Sequence, residues 1–320
     1  MNSVLVLLST YNGEEFLCEQ LNSLFKQEGV FVHVLVRDDG STDNTVRIIQ
    51  SWIDSGENIS LIKGDNLGFA MSFMSLVGEA AEYADQYDYY AFCDQDDVWL
   101  PTKLLSAIKK LQEKGVSDRP NLYWSNYTLV DRDLNPLFSS KKVKQNTGQK
   151  TIKEYQPTMT KPTILVRYFM LGCTMVFDRN MLDFLNKHKA ENKLTMHDLW
   201  LSQTAIFFGN VVYDNNSYLL YRQHGKNAAG VDSSWRGRWN RFKKSFKTYE
   251  RRHFREINAR NLLSAYKDVL NDDDYKLIKS VAHYKDSISS RIKLLFNREI
   301  RMGSFMSDFM IKMRIIFGLL

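Results

Sequence analysis

The sequence predicts an α/β fold: a Rossmann-like, mostly parallel sheet flanked by helices, followed by a helical C-terminal appendage. Three observations predict it. Apolar runs of strand length alternate with helically spaced segments through the first third of the 320 residues. These runs end in polar or acidic loops. The charge also changes sign along the chain. Residues 1–234 hold 23 Lys/Arg against 28 Asp/Glu, a net of −5, whereas residues 235–320 hold 20 against 9, a net of +11. That split predicts a catalytic or binding domain over 1–234 and a basic region over 235–320 that wants an anionic partner.

Val4-Leu5-Val6-Leu7-Leu8 reads as a buried parallel strand, and Ser9-Thr10-Tyr11-Asn12-Gly13 as the loop that ends it. From Glu14 to Gln27, Phe16, Leu17, Leu21, Leu24 and Phe25 fall on one helical face. Residues 30–36 form a second strand, which runs into Asp38-Asp39-Gly40-Ser41-Thr42-Asp43. Ser41 or Thr42 then caps a helix over 44–55. Ile59-Ser60-Leu61-Ile62 is a third strand, followed by Asn66-Leu67-Gly68-Phe69 and a helix reaching Ala84.

Tyr89-Tyr90-Ala91-Phe92-Cys93 is the fourth strand, and Asp94-Gln95-Asp96-Asp97 follows it. In extended backbone, residues two apart point the same way. Asp94 and Asp96 can therefore converge on one point, an arrangement that favours a hard divalent cation such as Mg²⁺ or Mn²⁺. An isolated D-x-D also fits an acidic turn that caps the next helix. What separates this chain from that reading is that Thr10–Asn12, Asp38/Asp39 and Asp94/Asp96 all lie at the carboxyl ends of strands, where open α/β sheets bind ligands. Neither G-x-G-x-x-G nor G-x-x-x-x-G-K-[ST] occurs in the first loop, so a diphosphate here needs a metal in place of a glycine cradle.

Further on, residues 121–125 read as a strand, 131–136 as a turn and 139–161 as a loop. Residues 170–177 return to the core as a strand whose Gly172 allows close approach of a ligand or of backbone. A helix over 179–189 follows, begun by Asp178. His197-Asp198-Leu199-Trp200 opens another helix to Phe208, and Asp198 there fits a cap or dipole partner as well as a functional carboxylate. His224 follows a strand over 217–220. From Trp235, the residues Trp239, Phe242, Phe246 and Tyr249 continue a helical aromatic stripe among Arg and Lys, suited to an anionic membrane surface or to packing on the catalytic domain. Met302 to Met313 repeat the helical spacing, interrupted by Lys312. An exposed aromatic face of this kind also fits a homo-oligomer contact.

The composition excludes several classes. Cys18, Cys93 and Cys173 are odd in number and widely spaced, against disulfide or zinc frameworks. The apolar run Val4 to Leu8 is too short for a signal peptide, and no stretch reaches the roughly 18–20 apolar residues of a membrane span. A cytoplasmic protein is expected. No nucleic-acid-binding signature appears, and the sheet region is acidic, so no nucleic-acid partner is expected.

Taken in order, Ser9-Thr10-Tyr11-Asn12, Asp38-Asp39-Gly40-Ser41-Thr42-Asp43, Asn66-x-Gly68-Phe69, Asp94-Gln95-Asp96-Asp97-Val98-Trp99, His197-Asp198 and Gln223-His224 resemble family 2 glycosyltransferases of the GT-A fold. The resemblance covers residues 1–230 and is closest to bacterial rhamnosyltransferases of cell-wall rhamnan or capsular polysaccharide synthesis. It implies that Thr10, Tyr11, Asn12, Glu14, Asp38, Asp39, Asn66 and Asp94 bind a nucleotide-sugar. It implies Asp96 and His224 as ligands of Mn²⁺ or Mg²⁺, and Asp198 as general base. Gly172, Cys173, His197 and Trp200 stand as acceptor-side candidates. His197 replaces the glutamate of the frequent Glu-Asp pair, which leaves its own role open. The implied reaction is an inverting transfer, with dTDP-β-L-rhamnose or a UDP-hexose as donor. The implied acceptor is a lipid-linked glycan at the inner face of the cell membrane. A non-catalytic nucleotide-sugar sensor would need no Asp198.

Overall fold

The structure, a computed structural model, describes residues 1–137, 160–167, 170–190, 196–224, 253–300 and 305–320. Most of the expected 139–161 loop and the whole aromatic stripe from Trp235 lie outside the described residues. The chain forms two compact units. The first comprises residues 1–156, 170–186 and 208–233, and the second comprises 157–169, 187–207 and 234–320.

In the first unit, β1 (Asn2–Thr10), β2 (Val30–Asp38), β3 (Ile59–Lys63) and β4 (Tyr89–Cys93) run parallel in the order β3-β2-β1-β4. Val4 to Leu8 are wholly buried, as a strand covered by helices on both faces requires. The alternating helices are α1 (Leu17–Phe25), α2 (Thr45–Asp54) and α3 (Phe69–Glu79). α1 begins three residues after Glu14 because the amides of Phe16 and Leu17 both turn back to the Gly13 carbonyl at 3.1 Å. It then buries Leu17, Leu21 and Leu24, each worth about 1.5–3 kcal/mol of transfer free energy.

The second half of the sheet is mixed. After β4 come β5 (Val98–Trp99), α4 (Lys103–Lys114), β6 (Asn121–Val130), β7 (Val176–Asp178) and β8 (Asn210–Arg222). The order continues β4-β7-β6-β8-β5, with β7 antiparallel to both neighbours and β6 parallel to β8. The strand expected over 170–177 is mostly a tight turn. Thr174 gives both its amide and its hydroxyl to the Leu171 carbonyl, at 3.0 and 2.7 Å, so only Val176–Asp178 joins the ladder. Asp178 does begin the next helix, α6 (Arg179–Lys187), accepting from the Met181 amide at 2.9 Å. Asp97 does not cap α4, since Val98 and Trp99 first pair with β8.

The second unit is helical among its described residues. It contains α5 (Lys161–Val166), most of α7 (His197–Phe208), α8 (Phe254–Tyr266), α9 (Asp272–Ala282), α10 (Ile288–Phe296) and α11 (Phe305–Ile316). Trp200 stacks on Tyr266 with ring centroids 5.2 Å apart, and Thr204 Oγ1 lies 2.6 Å from the Tyr266 hydroxyl. Lys161 reaches Asp274 at 2.7 Å. Among the described residues, no helix is long and apolar enough to cross a membrane.

Candidate active site

Strand register assembles the site. Thr10 lies opposite Asp38, and Leu8 opposite Cys93, so the loops after β1, β2 and β4 leave the sheet side by side. The strand order reverses at β1, which places these loops at the crevice where such sheets take ligands.

The first two loops are joined to each other. Asn12 adopts φ +48°, a left-handed conformation that asparagine tolerates better than most residues. Its amide donates to Ser41 Oγ at 2.9 Å, and its Oδ1 accepts from the Thr42 amide at 2.8 Å. Glu14 Oε2 accepts from the amide and the side chain of Asn44 at 2.9 and 2.8 Å. Both side chains therefore fix the shape of the crevice.

Asp38 and Asp39 divide their work. Asp39 accepts from buried Arg37 and from the Leu67 and Gly68 amides at 2.8 and 2.9 Å. Arg37 also donates to the Asp65 carbonyl at 2.9 Å. Asp39 thus holds the turn that carries exposed Asn66. Asp38 accepts from the Ser41 amide through Oδ2 at 3.0 Å, while its buried Oδ1 has no hydrogen-bond partner among the described residues. A buried carboxylate oxygen left so is costly, and a ligand donor would relieve the cost.

Gln95, the middle residue of the acidic stretch, braces the first loop. Its Oε1 accepts from Thr10 Oγ1 at 2.6 Å and from the Tyr11 amide at 2.9 Å, and its Nε2 donates to the Tyr11 carbonyl at 3.2 Å. Gly13 leaves the room for this: a Cβ there would sit 2.3 Å from Gln95 Oε1. Tyr11 keeps its ring half exposed above the crevice.

Asp96 and His224 converge, with Oδ2 and Nε2 2.7 Å apart. Cis ligands of an octahedral ion, each about 2.1 Å from the metal, stand about 3 Å apart, so the pair fits one Mg²⁺ or Mn²⁺ with little movement. Arg222 sets up the meeting. Its guanidinium is buried over the Phe16 ring at 4.7 Å, donates to the Asp96 carbonyl at 2.9 Å, and pairs with Glu19 and the Arg132 carbonyl. Its amide donates to Asp97 Oδ1 at 3.1 Å. A second group of potential ligand atoms, from Asp94, Asp97 and Cys173, lies within 4.8 Å. Burial, with Asp94 and Asp96 alongside, pushes the Asp97 carboxyl well above its usual range, and burial likewise raises the Cys173 thiol. A thiol suits a hard cation poorly. Gly172 is buried beside Cys173 in the turn before β7, so both acceptor-side candidates are covered here.

Under this loop lies Lys103, wholly buried, with Nζ 3.5 Å from the centroid of the Trp99 ring and no hydrogen-bond partner among the described residues. Burial pulls its ammonium down to about 8.

His197, Asp198 and Trp200 belong to the second unit. Asp198 is buried at the start of α7, where Oδ1 accepts from the Leu199 amide at 2.9 Å and its carbonyl accepts from Ser202 Oγ at 2.6 Å. Burial holds the His197 imidazole below its ordinary value, with Asp198 opposing. Trp200 is 1% exposed, a core position with no surface to offer an acceptor.

Sequence reasoning overlooked Gln95, Arg222 and Arg37. The signal for Gln95 was its place between Asp94 and Asp96. Arg222 lies two residues before His224, and Arg37 two before Asp39, the spacing that puts side chains on one face of extended backbone.

A mixed sheet with its acidic loops at the strand-order reversal, followed by helices, is the arrangement of the GT-A fold. The model for "Glycosyl transferase family 2" matches residues 5–178, more than half of the 320, and the chain belongs to that family. It is 28% identical over 243 residues to the dTDP-rhamnosyl transferase RfbG of Shigella flexneri, covering 73% of this chain and 77% of that protein. It is 26% identical over 217 residues to the UDP-Glc:alpha-D-GlcNAc-diphosphoundecaprenol beta-1,3-glucosyltransferase WfgD of Escherichia coli, covering 67% and 71%. Among solved structures, residues 1–349 of Staphylococcus aureus TarS with UDP-GlcNAc superpose with a TM-score of 0.56 at 20% identity, covering 93% of this chain and 77% of that one.

Proposed function

We propose that this glycosyltransferase is an inverting, metal-dependent rhamnosyltransferase. In this reading it moves L-rhamnose from dTDP-β-L-rhamnose onto a lipid-linked glycan during cell-wall or capsular polysaccharide synthesis. Residues 1–234 are the catalytic domain, and the basic region over 235–320 holds the enzyme at the inner face of the membrane. The observation that carries the metal reading is the Asp96–His224 pair, 2.7 Å apart, and the buried Asp38 Oδ1, without a donor among the described residues, supports the donor reading. The similarity to RfbG supports the rhamnosyl donor.

Thr10, Tyr11, Asn12, Glu14, Asp38, Asp39, Asn66 and Asp94 shape and line the donor pocket. Asp38 Oδ1 receives a donor hydrogen bond from the nucleoside, and the exposed Tyr11 ring offers a face to its base. Asp96 and His224 hold Mn²⁺ or Mg²⁺. When bound, such an ion supplies Lewis-acid neutralisation of the departing diphosphate. Asp198 takes the proton of the acceptor hydroxyl, because a neutral hydroxyl is a poor nucleophile. With one base and no protein nucleophile, attack inverts the anomeric centre. His197 stays neutral beside that base, in keeping with its burial.

The test is transfer of labelled sugar from dTDP-β-L-rhamnose and from UDP-glucose to polyprenyl-diphosphate-linked saccharides in Mn²⁺. Transfer from the dTDP donor that stops in Asp198→Asn supports the reading. Transfer from UDP-glucose only would replace the donor with a UDP-hexose, a second reading that the similarity to WfgD favours. Full transfer by Asp198→Asn would remove Asp198 from its role.

A further inference from the structure

Seven of the seventeen large apolar side chains that stand exposed among the described residues fall between residues 288 and 317. They are ordered. On α10, Ile288, Ile292 and Phe296 fall at i, i+4 and i+8, the first and last being 80% and 73% exposed. On α11, Phe305, Phe309 and Ile316 fall at i, i+4 and i+11, with Phe305 87% exposed. Each set forms one stripe on its helix.

These stripes are not the faces that hold the helices in the fold. α10 and α11 pack on each other, and their inward residues are Leu294, Ile311 and Ile315, all at most 2% exposed. Each helix is therefore apolar on two sides and covered on one. Ordered apolar stripes left in water mark a contact surface.

The charge decides the occupant. Residues 288–320 hold six Lys/Arg against two Asp/Glu. Lys293, Arg298 and Lys312 are exposed beside the stripes, and Lys312 lies within the α11 stripe at i+7 from Phe305. A second copy of this surface would set Lys293, Arg298 and Lys312 against their own kind. An anionic bilayer complements them, with the phenyl and isoleucyl groups in the acyl boundary and the long lysine stems reaching back to the headgroups.

We propose that the outward faces of α10 and α11 are a membrane-contact surface for anionic phospholipid, with Ile292, Phe296 and Phe309 as inserted residues. The proposal deepens the lipid-linked acceptor reading and rests on it for its purpose. Its test uses neither donor nor acceptor, so the two can fail separately.

The experiment is sedimentation of the full chain with phosphatidylcholine vesicles, with and without roughly one-third phosphatidylglycerol. Binding should need phosphatidylglycerol. The triple variant Ile292→Ser, Phe296→Ser, Phe309→Ser should bind about tenfold or more weakly, with an unchanged thermal melt by circular dichroism. A second variant, Lys293→Gln with Lys312→Gln, should lose much of the preference for phosphatidylglycerol. Wild-type binding retained by the triple variant would overturn the proposal. So would a lipid-free dimer of the wild type that the triple variant breaks, because it would assign the face to a second copy.

Discussion

The carboxylate of Asp96 and the imidazole of His224 meet at 2.7 Å across 128 positions of sequence. One comes from the loop after β4 and the other from the end of β8, and Arg222 binds the two loops together through the Asp96 carbonyl. The meeting is therefore built by the sheet together with the Arg222 side chain that ties the two loops.

His224→Ala should weaken Mn²⁺ affinity while leaving the fold intact. The concentration of Mn²⁺ that half-restores transfer to metal-stripped enzyme should rise about tenfold or more, in the range seen when groups around a metal are removed. A variant with an unchanged Mn²⁺ titration would take His224 out of the metal set.

Asp198→Asn keeps the size of the side chain and the Oδ1 acceptor for the Leu199 amide, but it cannot take a proton. Loss of a general base typically costs 10²–10⁴-fold, so transfer should fall by about that factor. Affinity for the nucleoside diphosphate, read by calorimetry, should change little. Equal losses in both would point to a structural role.

Gln95→Ala and Gly13→Ala act on one contact. The first removes the brace on Thr10 and Tyr11, and the second drives a methyl into Gln95 Oε1. Each should raise the KM for donor several-fold, with kcat less affected. The double variant should lose less than the sum of the single ones, because the clash with Gln95 disappears while the 2.8 Å approach to Thr10 Oγ1 stays. Additive losses would mean that the two residues serve separate ends.

Lys103 sets a pH dependence. Its folded value of about 8 lies below the 10.5 of an unfolded lysine, so the unfolded chain binds the extra proton between these two pH values. Its burial destabilises the fold by about 3 kcal/mol at neutral pH, and the penalty is lost as pH rises from 8 toward 10.5. Lys103→Met, which keeps the stem and removes the charge, should be more stable than wild type at pH 7. Denaturant midpoints of the two should draw together by pH 10. A constant difference across that range would assign the cost to packing.

The parallel half of the fold was legible because Val4 to Leu8 and Val34 to Val36 are buried on both faces and so read as unbroken apolar runs. The carboxyl-end loops followed from those strands. The mixed half was not legible, since β5 has two residues and β7 three, too short to carry a period. Residues 170–177 are apolar enough for a strand, yet one carbonyl, that of Leu171, captures the donors of Thr174 and turns the chain. Within the site, acidic residues could be picked out but not sorted. Asp38 and Asp39 are neighbours of one type, and only the Arg37 pair and the 67–68 amides tell the holder from the open oxygen. Trp200 looked like a site residue because it follows His197-Asp198, and its ring instead packs on Tyr266, a residue 66 positions away.

The central claim is a metal-dependent nucleotide-sugar site at the ends of β1, β2 and β4, and thermal shift tests it most directly. The full chain is melted with dTDP, UDP and GDP, each with and without Mn²⁺. A ligand at a hundred times its dissociation constant stabilises the folded state by about 2.7 kcal/mol. The account predicts a clear rise with dTDP and Mn²⁺ together, smaller with UDP, and largely lost in Asp96→Asn. No rise with any nucleoside diphosphate in Mn²⁺, or equal rises without the metal, would contradict it.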